Sequence, residues 1–139
     1  MIFTKNLSLD FLNKLAKDTM TSHIGIEFTE VGEDFISATM PVDDRTKQSY
    51  GMLHGGANVV LAETLGSIAA NFTVDTDRQY CVGLEINANH LKSVREGFVK
   101  GTARPIHIGK KTQVWEIRIT NPDDQLTCIS RLTMAVLEK

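Results

Sequence analysis

GMLHGGANVVLAETLGSIAAN, residues 51–71, decides the fold, because it is a long run of small and apolar residues with one full negative charge, Glu63. Apolar side chains lie nearly all round the helix that residues 56–72 would form. A helix without a polar stripe is typical of a buried position. The sequence therefore predicts a central helix that is buried on nearly every side and carries a carboxylate.

The Glu63 carboxylate is costly in such surroundings unless it is paired, hydrogen-bonded or protonated. It could be a satisfied core carboxylate or the partner in a salt bridge to a neighbouring strand. It could also be an acid, a base or a nucleophile, since active sites are where charge is tolerated among apolar residues. We favour the functional interpretation.

His54, Gly55 and Gly56 stand where this helix begins. The first amide N–H groups of a helix have no partner within it, glycine lets a ligand atom approach them, and the helix dipole adds partial positive charge. The start of the helix could therefore bind and polarise a carbonyl oxygen, as acyl-transfer chemistry requires. A tight junction between loop and helix would also explain the glycines.

The spacing of Gly55 and Glu63 predicts a shared site. The two residues are eight positions apart, which is about 12 Å along a helix. Catalytic groups must lie within roughly 3 Å of the reacting atoms. Two antiparallel copies of the helix would bring Gly55 of one chain to Glu63 of the other. If both residues are catalytic, we expect the active site at a dimer interface.

Two further polar residues accompany this pair. Ser67 lies one helical turn beyond Glu63, on the same face, and could hold the carboxylate or a water. It could equally be a small polar residue at a helix crossing. Gln48, in the preceding loop, could donate to the carbonyl or orient a water, or be an ordinary loop residue.

The rest of the chain is typical of an antiparallel sheet. Ser8 is a candidate N-cap for a first helix, residues 25–41 indicate two short strands around a turn, and residues 43–53 indicate a loop. Four longer strand-like runs follow the helix, at 80–92, 97–108, 112–120 and 126–137. Long strands joined by short turns favour an antiparallel sheet with one buried face. We expect one α+β domain over residues 1–139, with a curled antiparallel sheet around one long helix.

Composition narrows the class of protein. The 139 residues are 42% apolar and 23% charged, as in ordinary globular domains. No apolar run reaches the ~18 residues of a membrane span, and the N-terminus lacks the features of a signal peptide. Cys81 and Cys128 lack metal-like spacing, which indicates core residues in a reducing compartment, the cytoplasm. No histidine pair has zinc-like spacing with further ligands, so we expect no metal.

Residues 90–111 carry six basic residues against one acidic residue, Glu96, on a chain of net charge −2. A basic segment on an acidic chain favours a local anion site over nucleic-acid binding. A solvated strand face is the alternative.

With these residues assembled, the chain resembles the hotdog-fold acyl-CoA thioesterases. Three blocks carry the likeness, QSYGMLHGGANVVLAETLGS (48–67), VGLEINANHLKSVREG (82–97) and PIHIGKKTQVWEI (105–117), and it extends over residues 9–137. The chain most resembles the bacterial thioesterases that act on aromatic acyl-CoAs. These include the 1,4-dihydroxy-2-naphthoyl-CoA hydrolases of menaquinone synthesis and enzymes that release misloaded acyl groups from an aryl carrier protein.

The resemblance implies the hotdog fold, a homodimer that shares its active sites, and a dimer of dimers. It implies that Glu63 is the nucleophile or general base, and that the Gly55 amide polarises the thioester carbonyl with support from His54 and Gln48. Ser67 remains a candidate from its position one turn beyond Glu63. Glu63 together with Gln48 favours the aryl branch over the phenylacetyl branch, which often has Asp and Asn there. No cofactor is implied, since coenzyme A is part of the substrate.

The resemblance also gives the basic segment a role, because the phosphates of coenzyme A need cations. The implied residues for binding coenzyme A and substrate are Val82, His90, Leu91, Lys92, Ser93, His107, Ile108, Gly109, Lys110, Lys111 and Thr112.

Two other functions remain open. Hydratases and dehydratases of acyl chains share the fold, but they typically carry proline-containing His motifs or an Asp/His pair, and neither stands beside His54. A non-catalytic acyl-CoA-binding protein would be expected to lack the acid at Glu63. Within the thioesterase interpretation, aromatic acyl groups, medium-chain acyl groups and carrier-protein thioesters all remain candidates.

Overall fold

The computed structural model describes residues 1–4 and 7–139. Its elements in chain order are α1 (Leu9–Ala16), α2 (Met20–His23), β1 (Glu27–Val31), β2 (Ile36–Pro41), α3 (Gly55–Asn71), β3 (Gln79–His90), β4 (Phe98–Ile108), β5 (Thr112–Thr120) and β6 (Leu126–Glu138). Ser8 caps α1 as predicted, since its hydroxyl accepts a hydrogen bond from the Phe11 amide at 3.1 Å.

The six strands form one sheet in the order β1-β2-β4-β5-β6-β3, and every neighbouring pair is antiparallel. All four predicted long strands are present. β5 has the predicted bounds, and the ends of the other three differ from prediction by two residues or fewer. The long antiparallel sheet and the single long helix confirm the predicted α+β hotdog architecture.

The core lies between the sheet and one face of α3. The buried residues of α3 are Asn58, Leu61, Ala62, Leu65, Gly66, Ala69 and Ala70. Opposite them, alternate residues of β5 and β6 are completely buried, including Trp115, Ile117 and Leu132. This alternation confirms the single buried sheet face expected from the sequence. A Cβ on Gly66 would stand 2.6 Å from Cδ2 of Leu132, so helix and sheet pack closely at this point.

The other face of α3 is open in the single chain. Glu63 is exposed, while Val59, Val60 and Ser67 are only partly buried. The prediction that the helix is buried on nearly every side is therefore confirmed only in part, since Gly56 and Glu63 are the two exposed residues of α3. The sheet covers one side of α3, and β3 ends the sheet as an edge strand. On the other side Val60 packs against the core, while Val59 and Ser67 keep part of their surface accessible.

Both cysteines are free and buried, in agreement with the sequence. Burial raises the pKa of the Cys81 thiol, and it raises the pKa of the Cys128 thiol to about 11. A thiol with a raised pKa is a poor nucleophile at neutral pH, so neither cysteine is a candidate for covalent catalysis. Among the described helices, none is long and apolar enough to cross a membrane.

Candidate active site

The loop before α3 is fixed by backbone hydrogen bonds at its end. The amide of His54 donates to the carbonyl of Thr46 at 2.8 Å, and the amide of Leu53 donates to the carbonyl of Val94 at 2.7 Å. The first bond closes the loop on itself, and the second ties the start of α3 to the segment that follows β3. The helix N-terminus is therefore held in a defined place.

His54 is the N-cap of α3. Its exposed imidazole accepts a hydrogen bond at Nδ1 from the Gly56 amide at 2.8 Å. A neutral ring that accepts at Nδ1 carries its proton at Nε2. His54 therefore presents an N–H donor away from the helix.

Gly55 leaves its amide N–H without an acceptor among the described residues. A Cβ at this position would stand 2.9 Å from Nε2 of His90, so the imidazole packs directly on the glycine Cα. A side chain at residue 55 would therefore displace the His90 ring. The unpaired N–H at a helix start can bind a ligand oxygen.

A pocket of about 350 Å³ opens beside this amide. It brings together six of the residues singled out in the sequence, which are Gln48, Gly55, His90, Leu91, Lys92 and Ser93. The remaining walls are Met52, Leu53, Asn58 and Val94. His54 lines a neighbouring pocket of about 310 Å³, together with Gly56, Ala57 and Val60.

Asn58 is the member of this site that the sequence analysis missed. It is 5% exposed, and its Nδ2 lies 3.2 Å from Nδ1 of His90. Its Oδ1 is buried without a hydrogen-bond partner among the described residues. A polar residue one turn after Gly55 is ordinary by itself, so the sequence carried no distinct signal for Asn58.

Glu63 follows Gly55 by eight residues, about two turns of α3, and lies on the open side of the helix. Its Oε1 would be 2.9 Å from a Cβ on Gly83, which places the carboxylate against edge strand β3. No described group makes a hydrogen bond or ion pair with it. Val82, the neighbour of Gly83, is 37% exposed on the same strand, and Ser67 follows Glu63 by one helical turn.

The single chain does not bring Glu63 to the pocket beside Gly55, because Glu63 is not among the residues that line it. Glu63 lies against Gly83, whereas Gly55 lies against His90, seven positions further along β3.

The predicted residues His107, Ile108, Gly109, Lys110, Lys111 and Thr112 lie near the opposite end of α3. Four of them, Ile108 to Lys111, line a groove of about 790 Å³ with residues 73–75, which follow the helix. The 17 residues of α3 separate this groove from the helix start by about 25 Å. Lys110 and Lys111 are exposed and available to an anion. Within the described residues, no three potential metal ligands cluster.

Comparison with known proteins places the chain among hydrolases. The thioesterase superfamily model matches residues 50–128. The chain is 48% identical to the 1,4-dihydroxy-2-naphthoyl-CoA hydrolase of Escherichia coli, over 99% of this chain and 100% of that protein. It is 46% identical to the proofreading thioesterase EntH of Cronobacter turicensis, over 99% of each. The crystal structure of a mutant thioesterase PA1618 from Pseudomonas aeruginosa superposes with a TM-score of 0.98 at 47% identity, covering 100% of both chains.

Proposed function

Since this chain belongs to the thioesterase superfamily and is an acyl-CoA thioesterase, we propose that it hydrolyses aromatic acyl-CoAs between Gly55 of one chain and Glu63 of a second. The observation that carries this proposal is the unpaired Gly55 amide beside a pocket, with the unpaired Glu63 carboxylate on an open helix face.

The Gly55 amide supplies the electrophilic half of the reaction. Its N–H would donate to the thioester oxygen and stabilise the negative charge that develops there when the carbonyl is attacked. His54 Nε2–H and the side-chain amide of Gln48 are further donors on either side of Gly55. Gln48 is oriented for this because its Oε1 accepts a hydrogen bond from the Tyr50 amide, which leaves its NH₂ group for a ligand or water.

Glu63 supplies the nucleophilic half in one of two ways. Its carboxylate attacks the thioester carbon and expels the thiolate of coenzyme A, and water then hydrolyses the resulting anhydride. Alternatively, it takes a proton from a water that attacks the same carbon. Both routes consume one water and release a carboxylic acid and coenzyme A. Ser67, one turn further along α3, would orient the carboxylate or the water.

A dimer would bring the two halves together. β3 is a 12-residue edge strand that pairs with one described strand, β6, and its Leu84 is 61% exposed. An antiparallel second copy beside β3 would cover the open face of α3 and bring each Glu63 to the other chain's Gly55. Such an isologous interface gives two identical sites related by a two-fold axis. A dimer of dimers remains part of this proposal.

The same symmetry gives the turn between β4 and β5 a role in binding. Antiparallel helices place the C-terminal end of one α3 beside the N-terminal end of the other. The segment from His107 to Thr112 of one chain would then approach the pocket of its partner, where Lys110 and Lys111 can hold the phosphates of coenzyme A. Val82, near Glu63, and residues 90–93, at the pocket, would complete the substrate-binding surface.

The aromatic acyl group is supported by one relative and by the pocket. That relative is named for 1,4-dihydroxy-2-naphthoyl-CoA, and apolar side chains wall the pocket beside Gly55. A carrier-protein thioester is the second candidate substrate, because the family resemblance implies it. Two buried free thiols support a reducing compartment, the cytoplasm.

The test is thiol release from a panel of benzoyl-, naphthoyl- and hexanoyl-CoA. We expect the wild type to favour aromatic substrates and Glu63→Gln to lose about 10²- to 10⁴-fold in turnover, with substrate affinity retained. Glu27→Gln, at an exposed carboxylate of β1, is the matched control and should keep full activity. A fully active Glu63→Gln enzyme would contradict the proposed role, and a preference for hexanoyl-CoA would contradict the aromatic assignment.

A further inference from the structure

We propose that Asn58 selects acyl groups that carry a hydroxyl, by accepting a hydrogen bond from that hydroxyl at Oδ1. This inference rests on the proposed function, because it takes the pocket beside Gly55 as the place of the acyl group. One atom carries it: Oδ1 of Asn58 is buried and has no hydrogen-bond partner in the described part of the chain.

An unpaired acceptor of this kind is unusual in a folded protein. Buried polar side-chain atoms nearly always have a partner, and leaving one without a partner costs stability. Asn58 is 5% exposed and lines the 350 Å³ pocket. A donor that enters the pocket with a ligand would satisfy Oδ1.

The other end of the same amide is already engaged. Nδ2 of Asn58 lies 3.2 Å from Nδ1 of His90, and His90 in turn packs on Gly55. This contact limits rotation of the amide and fixes the direction of Oδ1. The two ends of the Asn58 amide therefore have separate roles, one toward His90 and one toward the ligand.

The surroundings favour an acyl group over the nucleotide part of coenzyme A. Met52, Leu53, Leu91 and Val94 form apolar walls, and among the described residues Lys92 is the single Lys or Arg that lines this pocket. Apolar walls with a few polar groups are typical of a pocket for an organic ring, whereas several phosphates would need several cations.

The helix geometry limits where the hydroxyl can be. Asn58 follows Gly55 by three residues, which is about 4.5 Å along the helix axis. If the Gly55 amide binds the thioester oxygen, a hydroxyl about one helical turn away from that oxygen would face Asn58. Among the ring positions of an aromatic acyl group, a meta hydroxyl matches this separation best, because an ortho hydroxyl lies within hydrogen-bond reach of the carbonyl oxygen itself.

An acceptor such as Oδ1 of Asn58 acts chiefly by weakening the binding of acyl groups that lack a hydroxyl. A site built to bond a substrate hydroxyl rejects the analogue without it, because the buried protein group then stays unpaired. Asn58 would therefore act on the choice between acyl-CoAs, while Glu63 and Gly55 act on the rate with either of them.

The test measures binding of two thioether analogues, 3-hydroxyphenacyl-CoA and phenacyl-CoA, by titration calorimetry. Neither can be hydrolysed, so an enzyme that fails the thiol-release test can still be assayed for this preference. We expect the wild type to bind the hydroxylated analogue about 10-fold more tightly. Asn58→Leu should remove or reverse that ratio, and Asn58→Ala repeats the comparison with a smaller side chain.

Asn89→Leu is the matched control. Asn89 neighbours His90 on β3 but lines a different groove, with Asn87 and Arg131, so its replacement should keep the wild-type ratio. If Asn58 only holds His90 in place, Asn58→Leu would weaken both analogues equally and leave the ratio unchanged, which overturns the proposal. A wild type that binds both analogues equally, or neither, overturns it too.

Discussion

The imidazole of His90 packs on the Cα of Gly55 so closely that a Cβ on residue 55 would stand 2.9 Å from Nε2 of the ring. This contact joins the start of α3 to the end of β3. It means that a substitution at residue 55 has two separable effects, displacement of His90 and loss of the amide N–H. Alanine causes the first effect, and proline causes both.

We expect Gly55→Ala to lower kcat/KM moderately, by about 10-fold, because His90 must move while the N–H remains. Gly55→Pro should lose a further 10²- to 10³-fold, the usual cost of one oxyanion donor. Proline is tolerated at the first position of a helix, and His54 already has the extended backbone, φ −66° and ψ 132°, that a following proline requires. Equal activities in the two variants, with equal melting temperatures, would contradict the oxyanion role.

The shared active site predicts complementation between two inactive variants. When Gly55→Pro and Glu63→Gln chains pair at random, half of the dimers are mixed, and each mixed dimer has one intact site of two. We therefore expect the mixture to recover about a quarter of the wild-type thiol-release rate after the chains are unfolded and refolded together. Each variant refolded alone is the control. A mixture as inactive as its components would place both residues of each site in one chain.

Because Glu63 contacts Gly83, we expect a substitution at Gly83 to lower kcat although glycine has no reactive group. A Cβ on Gly83 would stand 2.9 Å from Oε1 of Glu63 and 3.9 Å from Sδ of Met134. Gly83→Ala should therefore move the carboxylate, which is the flexible partner, and leave the fold intact. We expect kcat to fall roughly 10- to 100-fold with little change in melting temperature. In a Glu63→Gln background, the same substitution should cause no further loss.

Periodicity predicted most of the fold. Strands β5 and β6 have an unambiguous alternation, with Trp115 and Ile117 on the buried face, and their bounds followed directly from it. The open face of α3 could not be predicted in the same way. An apolar pattern shows that Val59 and Val60 need a cover, but it does not say whether that cover is the chain's own sheet or a second chain.

The site was partly predictable for a related reason. Gly55 and Glu63 could be singled out because a glycine pair at a helix start and a charge in an apolar helix are each unusual. Asn58 could not, since a lone amide in a helix is ordinary until its neighbours are known. Its contact with His90 spans 32 residues of sequence, and only the three-dimensional arrangement shows that Oδ1 has no partner.

A buried side-chain link stabilises the C-terminal end of α3. The completely buried side chain of Gln113 accepts a hydrogen bond from Nε1 of Trp115 at 2.9 Å and donates one to Oγ1 of Thr73 at 2.8 Å. It thereby links β5 to the segment that follows the helix. Gln113→Leu keeps the volume but leaves the Trp115 N–H buried and unpaired, which should cost about 1–3 kcal/mol of unfolding free energy in urea titration. Gln125→Leu, in the exposed turn before β6, should change it by less than about 0.5 kcal/mol, and equal losses in the two variants would show that the buried link contributes nothing.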